Sequence, residues 1–341
     1  MTRETEALKA YRKIVNEDLM QSVCFAEEGG ARTGVFSAVV TIWLMIFQRL
    51  NGDKTLKAAV CELRSGNSRQ LLEQESSRVR RGKISGATGG YSRARSRLSV
   101  SLVEQIADRI ASALASTHRL TQYQGRKVFV IDGSTIRIAH TEENRKKYPQ
   151  YRNQHGLAHF PLVHVGVATD ALTGIAIRPA YGAYNGKESV DELSLSEELF
   201  SRIPKGSIVM GDRFYGNPRF AATAAASGHD CVCRVKEINS KRYLGTPSTK
   251  SGECDLEWKS ARSRTGKTYS VSGRLIWHTA ERKGYRPLRL VLFTTLKLPA
   301  SEIVELYRLR WNVELDLRDI KSVLDMDMLN AKSPEMLAKE L

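Results

Sequence analysis

Two short apolar runs in this chain each end on an aspartate. Lys127-Val-Phe-Val-Ile131 leads into Asp132, and Ser207-Ile-Val-Met-Gly211 leads into Asp212. Continuous apolar runs of this length, rich in β-branched residues, suit strands that are covered on both faces. Both aspartates therefore read as carboxylates on buried strands of an α/β fold. An anion in that position is costly unless a cation accompanies it.

A third carboxylate stands in an unusual setting downstream. Tyr307, Arg310, Glu314 and Lys321 are separated by three, four and seven residues, so on one α-helix they share a narrow face. A carboxylate flanked by two cations and a phenol is a poor core stripe and a good site for metal and phosphate. Asp132, Asp212 and Glu314 supply the hard oxygen ligands that Mg²⁺ accepts, with Mn²⁺ as a substitute. Paired ions about 4 Å apart activate a water or 3′-hydroxyl on one side of a phosphorus and stabilise the leaving oxygen on the other. The chemistry indicated is phosphodiester cleavage and transfer. Arg310 offers a planar fork to phosphate oxygens, Lys321 a point charge and Tyr307 a hydroxyl on a flat ring. The plainer alternative for Arg310 and Glu314 is an intrahelical ion pair, worth tenths of a kcal/mol at a surface.

These segments together resemble the DDE transposases of bacterial insertion sequences, in the branch marked by Tyr, two residues, Arg, three residues, Glu, six residues, Lys. The resemblance includes Val130-Ile-Asp132-Gly-Ser-Thr, Gly211-Asp212-Arg-Phe-Tyr-Gly and the strand-like Leu288-Arg-Leu-Val-Leu-Phe-Thr-Thr295, and spans roughly residues 125–335. It implies a ribonuclease-H-like core with a β-rich insertion and a helical N-terminal DNA-binding region. It implies catalysis and metal binding by Asp132, Asp212 and Glu314. It further implies that Tyr307, Arg310 and Lys321 contact the transposon end and help form a hairpin on it. The partners implied are transposon-end and target DNA, with a homodimer on DNA, in the cytoplasm at the nucleoid and away from membranes. Members of that branch continue well past the Glu helix, whereas this chain stops at Leu341. Two alternatives follow: an inactive or truncated transposase that occupies DNA ends as an inhibitor, and a ribonuclease-H-fold nuclease acting on branched or hybrid nucleic acid.

Composition agrees with a polyanionic partner. Lysine and arginine exceed the acidic residues to give a net charge of +16, which favours nucleic acid but is also met by a basic, solvated surface. The five cysteines are widely spread without zinc-type spacing, so reduced structural thiols are expected. The charged start reads as no signal peptide. The apolar run over 35–47 is too short to span a bilayer and reads as a buried helix.

Four segments are expected along the chain. Residues 1–120 are helical, with apolar residues at helical spacing over 36–50, 55–63 and 98–114. Within them, 78–97 carries Arg78, Arg80, Arg81, Arg93, Arg95 and Arg97 with no acidic residue and four glycines. It reads as a basic loop that orders against phosphates, or alternatively as a solvated linker. Residues 121–235 form the first part of the core, with a strand ending at Asp132, a second short strand over 135–139 and a hairpin around 170–174. Helices over 190–203 and 218–227 flank the strand that ends at Asp212. Residues 236–287 are the β-rich insertion, and 288–341 supply the last strand and the Glu-bearing helix.

Other polar and aromatic residues take quieter readings. Glu188, Asp191 and Glu192 are expected on a solvated helix face, and Asp316 and Asp319 at the surface. His140, His155, His159 and His164 lack regular ligand spacing and read as loop and strand surface residues. Trp258 and Trp277 are expected to pack the insertion.

Overall fold

A computed structural model describes residues 3–16, 34–72, 81, 83–118, 120–154, 156–245, 250–261, 266–280, 288–311 and 326–341. It divides into two compact units, one of Met1–Thr117, Ile138–Lys147 and Ile320–Leu341, the other of His118–Arg137 and Tyr148–Asp319.

The first unit is built from helices: α1 (Arg3–Ile14), α2 (Ala38–Leu50), α3 (Leu56–Ser65), α4 (Gly89–Arg97) and α5 (Val100–Ser116), then α6 (Glu142–Lys147). The side chain of Ser37 caps α2 by accepting from Val40 N, and Ser99 caps α5 by accepting from Leu102 N; each satisfies an amide that has no partner within the helix. The apolar run over 35–47 is indeed a buried helix, with Trp43, Leu44 and Phe47 in a core shared with Tyr11, Leu63, Leu102 and Ile106.

The basic stretch is only partly the loop expected from its composition, because residues 89–97 form α4. Two glycines at its start and two serines give α4 little intrinsic propensity, and it has no side-chain cap. Packing supplies what propensity does not. Tyr91 is fully buried, stacks on Phe36 and donates its hydroxyl to Gln48 Oε1 at 2.7 Å. At the other end, Lys339 of the last helix, here α11 (Pro334–Glu340), brings Nζ to Arg95 O and Ser96 O at 3.3 and 3.1 Å and to Glu335 Oε1 at 2.6 Å. A cation there satisfies carbonyls orphaned at a helix C-terminus and complements its dipole. Glu340 receives both Arg49 and Arg95. The segment over 326–341, expected with the core, is thus part of the first unit.

The second unit is a mixed sheet with helices on both faces, as an α/β chain requires. Its strands are β1 (Val128–Ile138), β4 (Leu162–Asp170), β5 (Ala180–Ala183), β6 (Ile208–Gly211), β7 (Asp230–Arg234), β8 (Ser251–Lys259), β9 (Ser270–Ala280) and β10 (Leu288–Thr294), with β2 (Arg152–Asn153) and β3 (Gly156–Leu157) as a separate hairpin. The sheet order is β5-β4-β1-β6-β7-β10-β9-β8. Only β1, β6 and β7 run parallel to one another; the other neighbours are antiparallel. One face packs Phe129, Ile131 and Val209 against Leu195, Leu199 and Phe200 of α7 (Glu192–Arg202) and Phe220 of α8 (Pro218–Ala226). The other packs Val128, Val130 and Met210 against Ile303, Leu306 and Tyr307 of α10 (Ala300–Arg308).

Two sequence expectations are corrected here. The second short strand over 135–139 does not exist separately, because β1 pairs with β4 without a break from Phe129 to Arg137. The insertion begins with a helix, α9 (Glu237–Leu244). Its hairpin then joins the main sheet, β9 pairing with β10 from Leu288 to Thr294. Trp258 packs as expected, fully buried 4.5 Å from the Phe293 ring.

Two substitutions test this packing. Lys339→Met fills the same space but strands two carbonyls, and should lower the unfolding free energy of the first unit by about 1–3 kcal/mol, read from urea denaturation. Gly216→Ala places a Cβ about 2.0 Å from Arg234 O; backbone cannot yield as a side-chain tip can, so a loss of about 1–3 kcal/mol is expected at the midpoint of the same measurement with unchanged slope.

Candidate active site

Parallel pairing of β1 with β6 sets Ile131 opposite Gly211. The next residues are Asp132, within β1, and Asp212, just past the end of β6, so the two carboxylates stand on adjacent central strands, level with the carboxyl end of β6. This is where an open α/β sheet presents ligands. Both are half-buried. Asp132 Oδ1 accepts from Gly133 N at 2.8 Å and Asp212 Oδ1 from Phe214 N at 2.7 Å. Each carboxylate thus accepts from a backbone amide close by in sequence, Asp212 in the turn where β6 ends.

The helix α10 supports this edge from one face. Tyr307 is buried and donates its hydroxyl to Gly211 O at 3.3 Å, directly beneath Asp212. Burial pushes its phenol up to about 12, so it stays a donor. Arg310 is also largely buried, its guanidinium 5.4 Å from the Tyr307 ring centre and 5.7 Å from that of Trp311. Arg234, Arg308, Arg310, Trp277, Tyr307 and Trp311 line a cleft of about 500 Å³. Tyr307 therefore props the strand that carries Asp212, where sequence reasoning expected it only beside a phosphate.

A fourth acidic residue comes from the opposite face. Glu192 opens α7, whose N-cap is Asp191. It is half-buried, and a Cβ placed on Gly133 would lie 2.4 Å from its Oε2, so its carboxylate rests against the backbone next to Asp132. Burial raises the Glu192 carboxyl above its ordinary range; His164 opposes this, and Asp132, Asp212 and Asp191 add to it. His164 Nδ1 lies 2.8 Å from Val190 O; a carbonyl only accepts, so this nitrogen carries the hydrogen. Beside them Tyr215 is fully buried, and its hydroxyl has no hydrogen-bond partner. Burial first, then the charges of Glu192, Asp132 and Asp212, drive its phenol well above the ordinary range.

Sequence reasoning placed Glu192 on a solvated face and gave Tyr215 no role. The signal for both was the glycine beside each aspartate. Gly133 leaves room for Glu192, and a Cβ on Gly211 would lie 2.5 Å from Tyr215 Cβ. Asp191, by contrast, is exposed as expected.

The remaining residues divide clearly. Glu314, Lys321, Arg78 and Arg80, with Asp316, Asp319 and His155, lie outside the described residues. Arg81, Arg93 and Arg97 are exposed, whereas Arg95 is engaged with Glu340. Among the described residues no three His, Cys, Asp or Glu side chains are gathered closely enough to hold a metal ion by themselves. Among them too, no helix is long and apolar enough to cross a membrane.

A model of the family described as "Transposase DDE domain" matches residues 123–341, a span that takes in both aspartates. The chain belongs to this DDE transposase family. Over 255 residues, 73% of this chain, it is 23% identical to the transposase InsG for insertion sequence element IS4 of Escherichia coli (strain K12). Over 152 residues, 44% of the chain, it is 26% identical to a hydroxyacylglutathione hydrolase of Jannaschia sp. (strain CCS1). The chain spans 56% of the length of each of these relatives. The family match covers more of the chain than the hydrolase match, and it agrees with the DDE transposase resemblance read from the motifs.

The carboxylate cluster carries a testable cost. A carboxyl whose pKa is raised by folding binds its proton more tightly in the native state, so its contribution to stability falls as pH rises through that value. In chelator-treated buffer Glu192→Gln should therefore melt above wild type at pH 7. The difference should shrink on acidification through the carboxylate range, as followed by circular dichroism at a series of pH values.

Proposed function

We propose that this chain is a transposase that binds the terminal inverted repeats of an insertion sequence, cleaves there and joins the freed 3′-hydroxyl to target DNA. The observation that carries the reading is the β1–β6 register, which makes Asp132 and Asp212 neighbours on adjacent central strands. The order β5-β4-β1-β6-β7 with helices on both faces supports a ribonuclease-H-like core.

The donor set suits a hard divalent cation. Two half-buried carboxylates on neighbouring strands stand beside a buried, unpaired phenol, and oxygen ligands of this kind suit Mg²⁺ or Mn²⁺. Asp132 and Asp212, with Glu314, would hold the cations. When bound, these supply activation of the attacking water or 3′-hydroxyl and charge stabilisation of the leaving oxygen.

The chain's own residues do the rest. The aspartates fix where the scissile phosphate sits, and Tyr307 keeps the end of β6 in place beneath it. Arg310, stacked between two aromatic rings, presents its guanidinium to the DNA backbone in the basic, aromatic cleft, where unpaired bases also stack. Lys321 is assigned to phosphate by the signature alone. Arg81, Arg93 and Arg97 of the first unit are exposed and contact the DNA backbone, which makes that unit the DNA-binding region. A homodimer joins two ends, and a hairpin intermediate follows from the Tyr307, Arg310, Glu314, Lys321 signature.

The test is incubation of the purified chain with DNA carrying its element's terminal repeat, with and without Mg²⁺ or Mn²⁺. Metal-dependent cutting at the repeat end is expected, reduced to background in Asp132→Ala, Asp212→Ala and Glu314→Ala. Tight end binding without cutting would overturn the catalytic reading in favour of an end-occupying inhibitor, and equal cutting of branched DNA lacking the repeat would favour a nuclease.

A further inference from the structure

Behind the two aspartates, on the side away from α10, lie Glu192 of α7 and Tyr215 of the loop after β6. Each approaches through a gap that a glycine leaves. With any side chain at position 133 the Glu192 carboxylate would be displaced, and with any at 211 the Tyr215 ring would be. The Tyr215 hydroxyl is the decisive feature. It is enclosed and unpaired, on a residue whose Cβ stands where a side chain on Gly211, the residue before Asp212, would be. A buried hydroxyl without a partner costs about 1–3 kcal/mol. Such a group beside three carboxylates is placed to bond to something they bind together.

A glutamate in the first turn of a helix is ordinary in itself, since the helix dipole favours it there. That explanation predicts a solvated side chain. Here the carboxylate is turned back against Gly133 and held in the repulsive field of both aspartates. With the described side chains too far apart to ligate an ion directly as a trio, the contact suits an ion that keeps its water. Mg²⁺ and Mn²⁺ in such sites retain several water ligands, and the second layer of groups that hold those waters sets affinity.

We propose that Glu192 is a fourth carboxylate of the cation site, accepting from a metal-bound water behind Asp132 and Asp212, with the Tyr215 hydroxyl as the adjoining hydrogen-bond partner of that water. This rests on the reading of the two aspartates as cation ligands. Glu192 and Tyr215 are positioning residues: they act on the ion through its water.

The probe is Mn²⁺ alone on the full chain without DNA, with free Mn²⁺ read by electron paramagnetic resonance and the Mn²⁺-induced rise in melting temperature as a second readout. Glu192→Gln keeps size and helix start, and should weaken Mn²⁺ binding roughly tenfold, while melting no lower than wild type without metal. Tyr215→Phe should weaken it in the same direction. Glu192→Asp keeps the charge but withdraws it by one methylene, and should also bind more weakly, which covers the case in which the glutamine variant does not fold. Wild-type Mn²⁺ affinity in a folded Glu192 variant would overturn the proposal. Wild-type affinity in Asp132→Ala and Asp212→Ala would instead overturn the assignment of the aspartates themselves, so the two failures are distinguishable.

Discussion

The site depends on the parallel register that makes Asp132 and Asp212 neighbours, and that register works against the protein's own stability. Two carboxylates on adjacent buried strands repel each other, and Glu192 adds a third charge from α7. Nothing in the apolar layers offsets that repulsion. What holds the edge together is the packing below it: β1 and β6 are covered on both faces by rings and branched side chains from α7, α8 and α10. Each such side chain contributes on the order of 1.5–3 kcal/mol by burial. The sheet can therefore carry a strained charge cluster at its rim without local rearrangement.

The two faces serve the rim differently. From α10, Tyr307 reaches the last carbonyl of β6 and so acts on backbone position. From α7 and the loop after β6, Glu192 and Tyr215 approach the carboxylates themselves, through spaces kept open by Gly133 and Gly211. The motifs around the aspartates are thus spatial as much as chemical. In Asp132-Gly133 and Gly211-Asp212 the acid supplies the ligand, and the glycine admits what stands behind it.

Much of this was legible in the sequence, for identifiable reasons. Apolar runs ending in aspartate gave β6 and the first part of β1, and helical spacing gave α2, α5 and α7 to within a few residues, because in these elements local pattern and tertiary burial agree. Glu192 was misjudged because its neighbours Glu188 and Asp191 are polar, and the fold turns only one of the three inward. The helix α4 was misread because composition argued for a loop, and only contacts distant in sequence, from Phe36, Gln48 and Lys339, supply the helix with partners. The continuity of β9 with β10 was equally hidden, since strand pairing leaves no mark in local periodicity.

The attachment of α11 to α4 has a temporal meaning. The helical unit is assembled from three stretches of chain, Met1–Thr117, Ile138–Lys147 and Ile320–Leu341, with the sheet-bearing sequence threaded between them. A domain made of contiguous sequence can form as it leaves the ribosome, but contacts of long sequence separation wait for both partners. The carbonyls at the end of α4 stay without Lys339, and Arg49 and Arg95 without Glu340, until nearly all of this sequence has been synthesised. An emerging chain would thus present its arginine-rich helix incompletely anchored, and its consolidation is coupled to arrival of the segment that follows the Glu314 region.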